Sequence, residues 1–148
     1  MWRAVPVLAV LAGPLAAQDD GGWALLGLAE ITETPVPGDT GVTYRIDKRF
    51  DPALQAAAAA EFTISGYLVP LLAEPYLDRF LLVPDPADCP FCGNAGYGPS
   101  LPVDMKRALP DLPEGTFLIL SGQLELDRSA ESFDLYRLFD AVRVMPDG

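Results

Sequence analysis

Cys89-Pro90-Phe91-Cys92 is the one local motif in this sequence whose residue types and spacing carry chemistry. Two thiols three positions apart serve dithiol redox exchange, half of a thiolate metal site, or a short structural disulfide. Redox sites of this spacing lie on a strand-to-helix turn, where the helix N-terminus lowers the thiol pKa. Here the following Gly93-Asn94-Ala95-Gly96-Tyr97-Gly98-Pro99 does not continue as a helix, and no βαβ pattern surrounds the pair. A zinc or copper ion needs more than two thiolates, and the chain has no histidine, so the further ligands would be Asp85, Asp88, a methionine or a partner chain. The expectation is a disulfide between Cys89 and Cys92, with no metal and no cofactor. Metal or thiol-redox handling through the same two residues is the alternative. Phe91 and Tyr97 are candidate binding-loop aromatics, against the plainer reading that they fold back over the end of the domain.

The absence of histidine removes Ser-His-Asp and Cys-His catalysis, imidazole acid–base chemistry and His-ligated zinc. Paired carboxylates are the remaining catalytic route, yet none of the 21 acidic residues shows diagnostic spacing. No phosphate-binding glycine loop, nucleophile elbow, zinc-protease helix or EF-hand loop is present. The sequence therefore predicts a protein that is not an enzyme.

Met1-Trp2-Arg3, an uncharged run from Ala4 to Leu15 and then Ala16-Ala17-Gln18 follow the order of a cleavable export signal. The apolar run is about 12 residues, short of the roughly 20 that span a bilayer, and Pro6 and Pro14 weaken it further. Cleavage after Ala17 predicts a periplasmic protein with no stable membrane span, a retained anchor being the alternative. It removes Arg3 and no acid, so 10 basic residues become 9 against 21 acids, and the formal net charge goes from −11 to −12. Nucleic acid is a poor partner for such a surface, because its binding draws on clustered Lys and Arg. The basic residues here read as single or paired, as in Lys48-Arg49 and Lys106-Arg107.

What positions the cysteine loop is a single domain of 148 residues, 50% hydrophobic and 21% charged. Trp23 to Ile31 is apolar without a deciding period. Thr34 to Gly41 holds two prolines and two glycines and reads as a loop. Val42 to Ile46 alternates as a short strand. Asp51-Pro52 caps a short alanine-rich helix over residues 52–60. Period two then governs Phe62–Leu72, Tyr76–Val83, Leu101–Lys106, Thr116–Leu126 and Phe133–Val144. Gly66 and Gly122 each interrupt an apolar strand, as a closing sheet requires, and are candidate structural glycines. Five short antiparallel strands with coiled centres predict a mainly β fold: a five-stranded OB-like, partly open barrel with one short N-terminal helix. A half-open meander is the alternative. The expected division is a signal peptide at 1–17, an extended segment and loop at 18–41, and the barrel domain at 42–148.

Phe62-Thr-Ile-Ser-Gly-Tyr-Leu-Val-Pro-Leu71, Arg79-Phe-Leu-Leu-Val-Pro84 and the cysteine at Asp88-Cys89 come in an order that resembles a family of small exported bacterial proteins of unknown function. The likeness covers roughly residues 43–144 and takes in Trp23 and Ser121-Gly122. It implies an OB-type barrel and export, and no established activity. In relatives the cysteine is followed by His and a proline-rich run. Here Cys89-Pro-Phe-Cys92-Gly93 replaces them, which removes any histidine-based metal role. The functional expectation is an exported binding or accessory protein, whose partner is an envelope protein, such as part of a transporter complex, or a small ligand.

Overall fold

The computed structural model describes residues 20–86 and 99–145. A single helical turn α1 (Trp23–Leu26) leads into a hairpin of β1 (Ala29–Gly38) and β2 (Gly41–Phe50). Helix α2 (Pro52–Ala58) follows, and then β3 (Glu61–Pro70), β4 (Tyr76–Val83), β5 (Leu101–Pro110), β6 (Phe117–Leu126) and β7 (Tyr136–Arg143). Helix α2 starts as its sequence dictates: the Asp51 carboxylate accepts from the Ala53 N–H at 2.8 Å, and Pro52 occupies the first helical position, where no N–H is needed.

Strands β3 to β7 close into a barrel in the order β3-β4-β5-β7-β6, with β6 returning to β3. Counted within the barrel this is 1-2-3-5-4-1, the OB order. Every pairing is antiparallel except β5 with β7. The expected five strands are therefore present, but β5 and β7 run parallel where all strands were expected antiparallel, and the barrel is closed where a partly open one was expected. The alternation of β3 explains the core: Phe62, Ile64 and Leu68 point inward and meet Phe80, Leu82, Leu101, Leu118, Leu120 and Leu138, all buried.

Both expected mid-strand glycines sit where two backbones approach. Strand β3 pairs with β6 from Glu61 to Tyr67 and with β4 from Tyr67 to Pro70, so it changes neighbours at Gly66 and Tyr67. A Cβ on Gly66 would lie 2.6 Å from the Val83 carbonyl oxygen and 2.9 Å from Leu82 Cγ. Gly122 stands opposite a bulge: Ser121 pairs with Val142 and Gln123 with Phe139, so one residue of β6 faces two of β7. Asp140 in that bulge has φ 50°, the left-handed region, which aspartate tolerates better than most side chains.

The upper half of β3 has a free edge on the side where β4 has not yet joined, and the N-terminal segment covers it. The Ser65 N–H donates to the Gly21 carbonyl at 3.0 Å, and Trp23 Nε1 donates to the Ser65 carbonyl at 2.7 Å. Trp23 and Leu26 then join the barrel core.

Residues 34–41, read from sequence as a loop, are instead the end of β1 and a two-residue turn at Asp39-Thr40. Two prolines survive in a strand because Pro35 and Pro37 are two residues apart, so both nitrogens point to the same, outer edge of β1 and remove no ladder bond to β2. Residues 42–50 likewise belong to this hairpin, and the barrel strands begin at Glu61.

Candidate functional site

The β1–β2 hairpin has one apolar face. Its register places Ile31 opposite Lys48, Glu33 opposite Ile46, Pro35 opposite Tyr44 and Pro37 opposite Val42. The other face carries Glu30, Thr32, Thr34, Val36, Thr43, Arg45, Asp47 and Arg49. Near the barrel the apolar side chains are buried, as Ile46 and Phe50 are, but towards the tip Tyr44 is 56% and Val42 64% exposed. Two strands alone are marginally stable in water, so the arm depends on its base.

That base is an electrostatic clamp. The Lys48 side chain, 3% exposed, reaches from β2 to the loop between β6 and β7, where its Nζ lies 3.6 Å from Asp127 Oδ2 and donates to the Asp134 carbonyl. The Ser129 N–H donates to Asp127 Oδ1 at 2.7 Å. This bond first, then the Ser132 hydroxyl and the Lys48 charge, hold the Asp127 carboxyl below its ordinary value against the opposing effect of burial. Beside the clamp the Arg128 guanidinium lies 5.1 Å from the centre of the Phe50 ring, and Gln55 joins the two by accepting from Arg128 and donating to the Phe50 carbonyl.

A second surface opens where the two parallel strands part. Pairing between β5 and β7 stops at Met105–Ala141. Beyond it β5, already paired with β4 from Leu101 to Asp104, resumes that pairing after a register shift at Leu77–Leu109 and Tyr76–Pro110, while β7 stays on β6. The cleft left between them, about 360 Å³, has Met105, Leu109 and Val142 in its wall and Lys106, Arg107 and Arg143 around it. Beside it Asp104 is held by Arg79 Nε and Arg137 Nη1, each at 3.2 Å.

Cys89, Cys92, Phe91 and Tyr97 lie outside the described residues, as do residues 1–17, expected from sequence to be a signal peptide. Among the described residues, no three His, Cys, Asp or Glu gather into a group fit to hold a metal, and no helix is long and apolar enough to cross a membrane. No family model, curated protein or solved structure matches this chain. The surfaces themselves must carry any functional reading.

Neither surface is foreseen by the sequence analysis. The hairpin face was hidden by its prolines, although Ile31, Glu33, Pro35 and Pro37 already alternate with Thr32, Thr34 and Val36. Arg143 joins Lys106-Arg107 only through the parallel contact of strands more than 30 residues apart, which no local pattern encodes. Lys48-Arg49, read as an ordinary surface pair, is split by the pleat: Lys48 is pinned against Asp127 and Arg49 faces the other way.

Proposed function

We propose that the protein is an exported accessory protein that acts by holding an envelope partner, with the β1–β2 arm as the gripping element and the barrel as its mount, and that it performs no catalysis. The observation that carries this reading is the exposed apolar face formed by Ile31, Pro35, Pro37, Val42 and Tyr44. A monomer gains nothing from keeping Tyr44 and Val42 in water on an arm anchored only at its base, whereas a partner that covers them gains their burial. The strong negative charge, the export pattern at residues 1–17 and the lack of histidine support the setting and the absence of catalysis.

A photo-crosslinking amino acid at Tyr44, expressed with the native leader, tests the reading. One discrete envelope adduct is expected, lost when Val42→Thr is added and absent when the label sits at Glu125 on the barrel. Equal adducts from both positions would overturn it.

A further inference from the structure

We propose that the cleft between β5 and β7 is a binding site for a small amphipathic anion, one anionic group carrying a short apolar chain. The inference is independent of the gripping arm, which lies on a different part of the molecule's surface and rests on different residues.

The cations argue for the anionic group. The chain has 10 Lys and Arg against 21 Asp and Glu, so most basic side chains have acids to choose from. Yet Lys106, Arg107 and Arg143 all line one opening, and none of them forms an ion pair among the described residues. Asp104, the acid next along β5, is already engaged by both Arg79 and Arg137, so it is not available to neutralise them. An anion at an opening bordered by unpaired cations gains charge-assisted hydrogen bonds from those that reach it.

The wall argues for the apolar chain. Met105, Leu109 and Val142 supply hydrocarbon beneath the charges, and Val142 is 44% exposed within a strand whose alternate residues are buried. A methionine suits a ligand with no fixed shape, because its thioether chain adapts. The volume, about 360 Å³, is at the lower end for organic ligands, which excludes polymers and favours a head with a short tail. The cleft is also a product of topology: it opens where the pairing of the parallel strands ends, at Met105–Ala141.

Octyl phosphate below its micellar concentration is the probe, followed by calorimetry and amide chemical shifts on the full mature chain. Saturable binding with one equivalent is expected, with shifts centred on Met105, Ala141 and Val142. Inorganic phosphate, which lacks the tail, and octyl glucoside, which lacks the charge, should each bind at least about tenfold more weakly, and added salt should weaken octyl phosphate. Arg143→Glu should abolish binding and Arg143→Lys retain it, both with unchanged melting temperature; Lys106→Glu provides the same test should Arg143→Glu fail to fold. Equal binding by wild type and the folded charge-reversed variant would overturn the proposal. So would shifts centred on Val42 and Tyr44, or charge-dependent sedimentation with phosphatidylglycerol vesicles without binding of soluble octyl phosphate, which would make the patch a membrane contact.

Discussion

Gly122 lies so close to β7 that a Cβ built on it would sit 2.7 Å from the Phe139 carbonyl oxygen and 3.1 Å from Ala141 Cα. Both atoms are backbone, and they belong to the bulge that holds Asp140 at φ 50°. The glycine is needed there for room, since its own φ lies outside the left-handed region. Gly66 meets the Val83 carbonyl in the same way.

Replacing Gly66 or Gly122 with valine should therefore destabilise the fold by about 1–3 kcal/mol, because the neighbouring strand must shift. Denaturant unfolding of each variant measures it. A midpoint equal to wild type for both would mean the strands have slack that these contacts do not show.

Asp127, held below its ordinary value first by the Ser129 N–H and then by Ser132 and Lys48, gives the base of the arm a pH dependence. The folded Asp127 carboxyl titrates below its ordinary value of 3.8, so the unfolded chain binds the proton more readily, and the clamp's contribution is present above that value and lost as pH falls through the lower folded one. The β2 amides should lose protection from hydrogen exchange below about pH 4 ahead of those in β3 and β6. In Lys48→Met part of that loss of protection should already be visible at neutral pH.

Burial raises the Tyr136 hydroxyl above its ordinary value of 10.0. A raised folded value means stability that is complete below about pH 10 and declines above it, as the unfolded chain loses the proton first. Tyr136→Phe should flatten the alkaline limb of the stability curve. A limb of unchanged slope would assign the loss to other groups.

The cysteine pair is expected to be joined, with no free thiol and no stoichiometric metal in the purified mature protein. Changing both Cys89 and Cys92 to serine should cost about 2 kcal/mol or less, since the closed loop is short. Thiol titration and elemental analysis of one sample check this. Two reactive thiols with one equivalent of zinc or copper would instead establish metal handling.

Mass spectrometry of protein from a periplasmic fraction should find a new N-terminus near Gln18. Intact Met1 in the cytoplasm would remove the export reading.

The barrel was legible because its signals are local. Period-two alternation in Phe62–Leu68 and Leu118–Leu124, the cap at Asp51-Pro52 and a mid-strand glycine in β3 and in β6 are all readable within a few residues. The hairpin was not, because proline and glycine density marks a loop on average, and only the parity of Pro35 and Pro37 reveals that they spare the ladder. The cleft was illegible for a different reason. It depends on β5 and β7 running parallel and then separating, a relation between Met105 and Ala141 that emerges only once the barrel has closed.

Those two prolines also set a limit on what the arm can join. Among the described residues no strand pairs with the outer edge of either hairpin strand, yet the edges are unequal: β1 presents two positions with no N–H to offer, and β2 presents N–H groups at Val42 and Tyr44. A sheet grows into a fibre only when each added strand leaves another receptive edge behind it. Here growth is one-sided, so the arm can accept one strand along β2 but is barred from seeding an endless stack through β1. The apolar hairpin thus carries its own chain terminator.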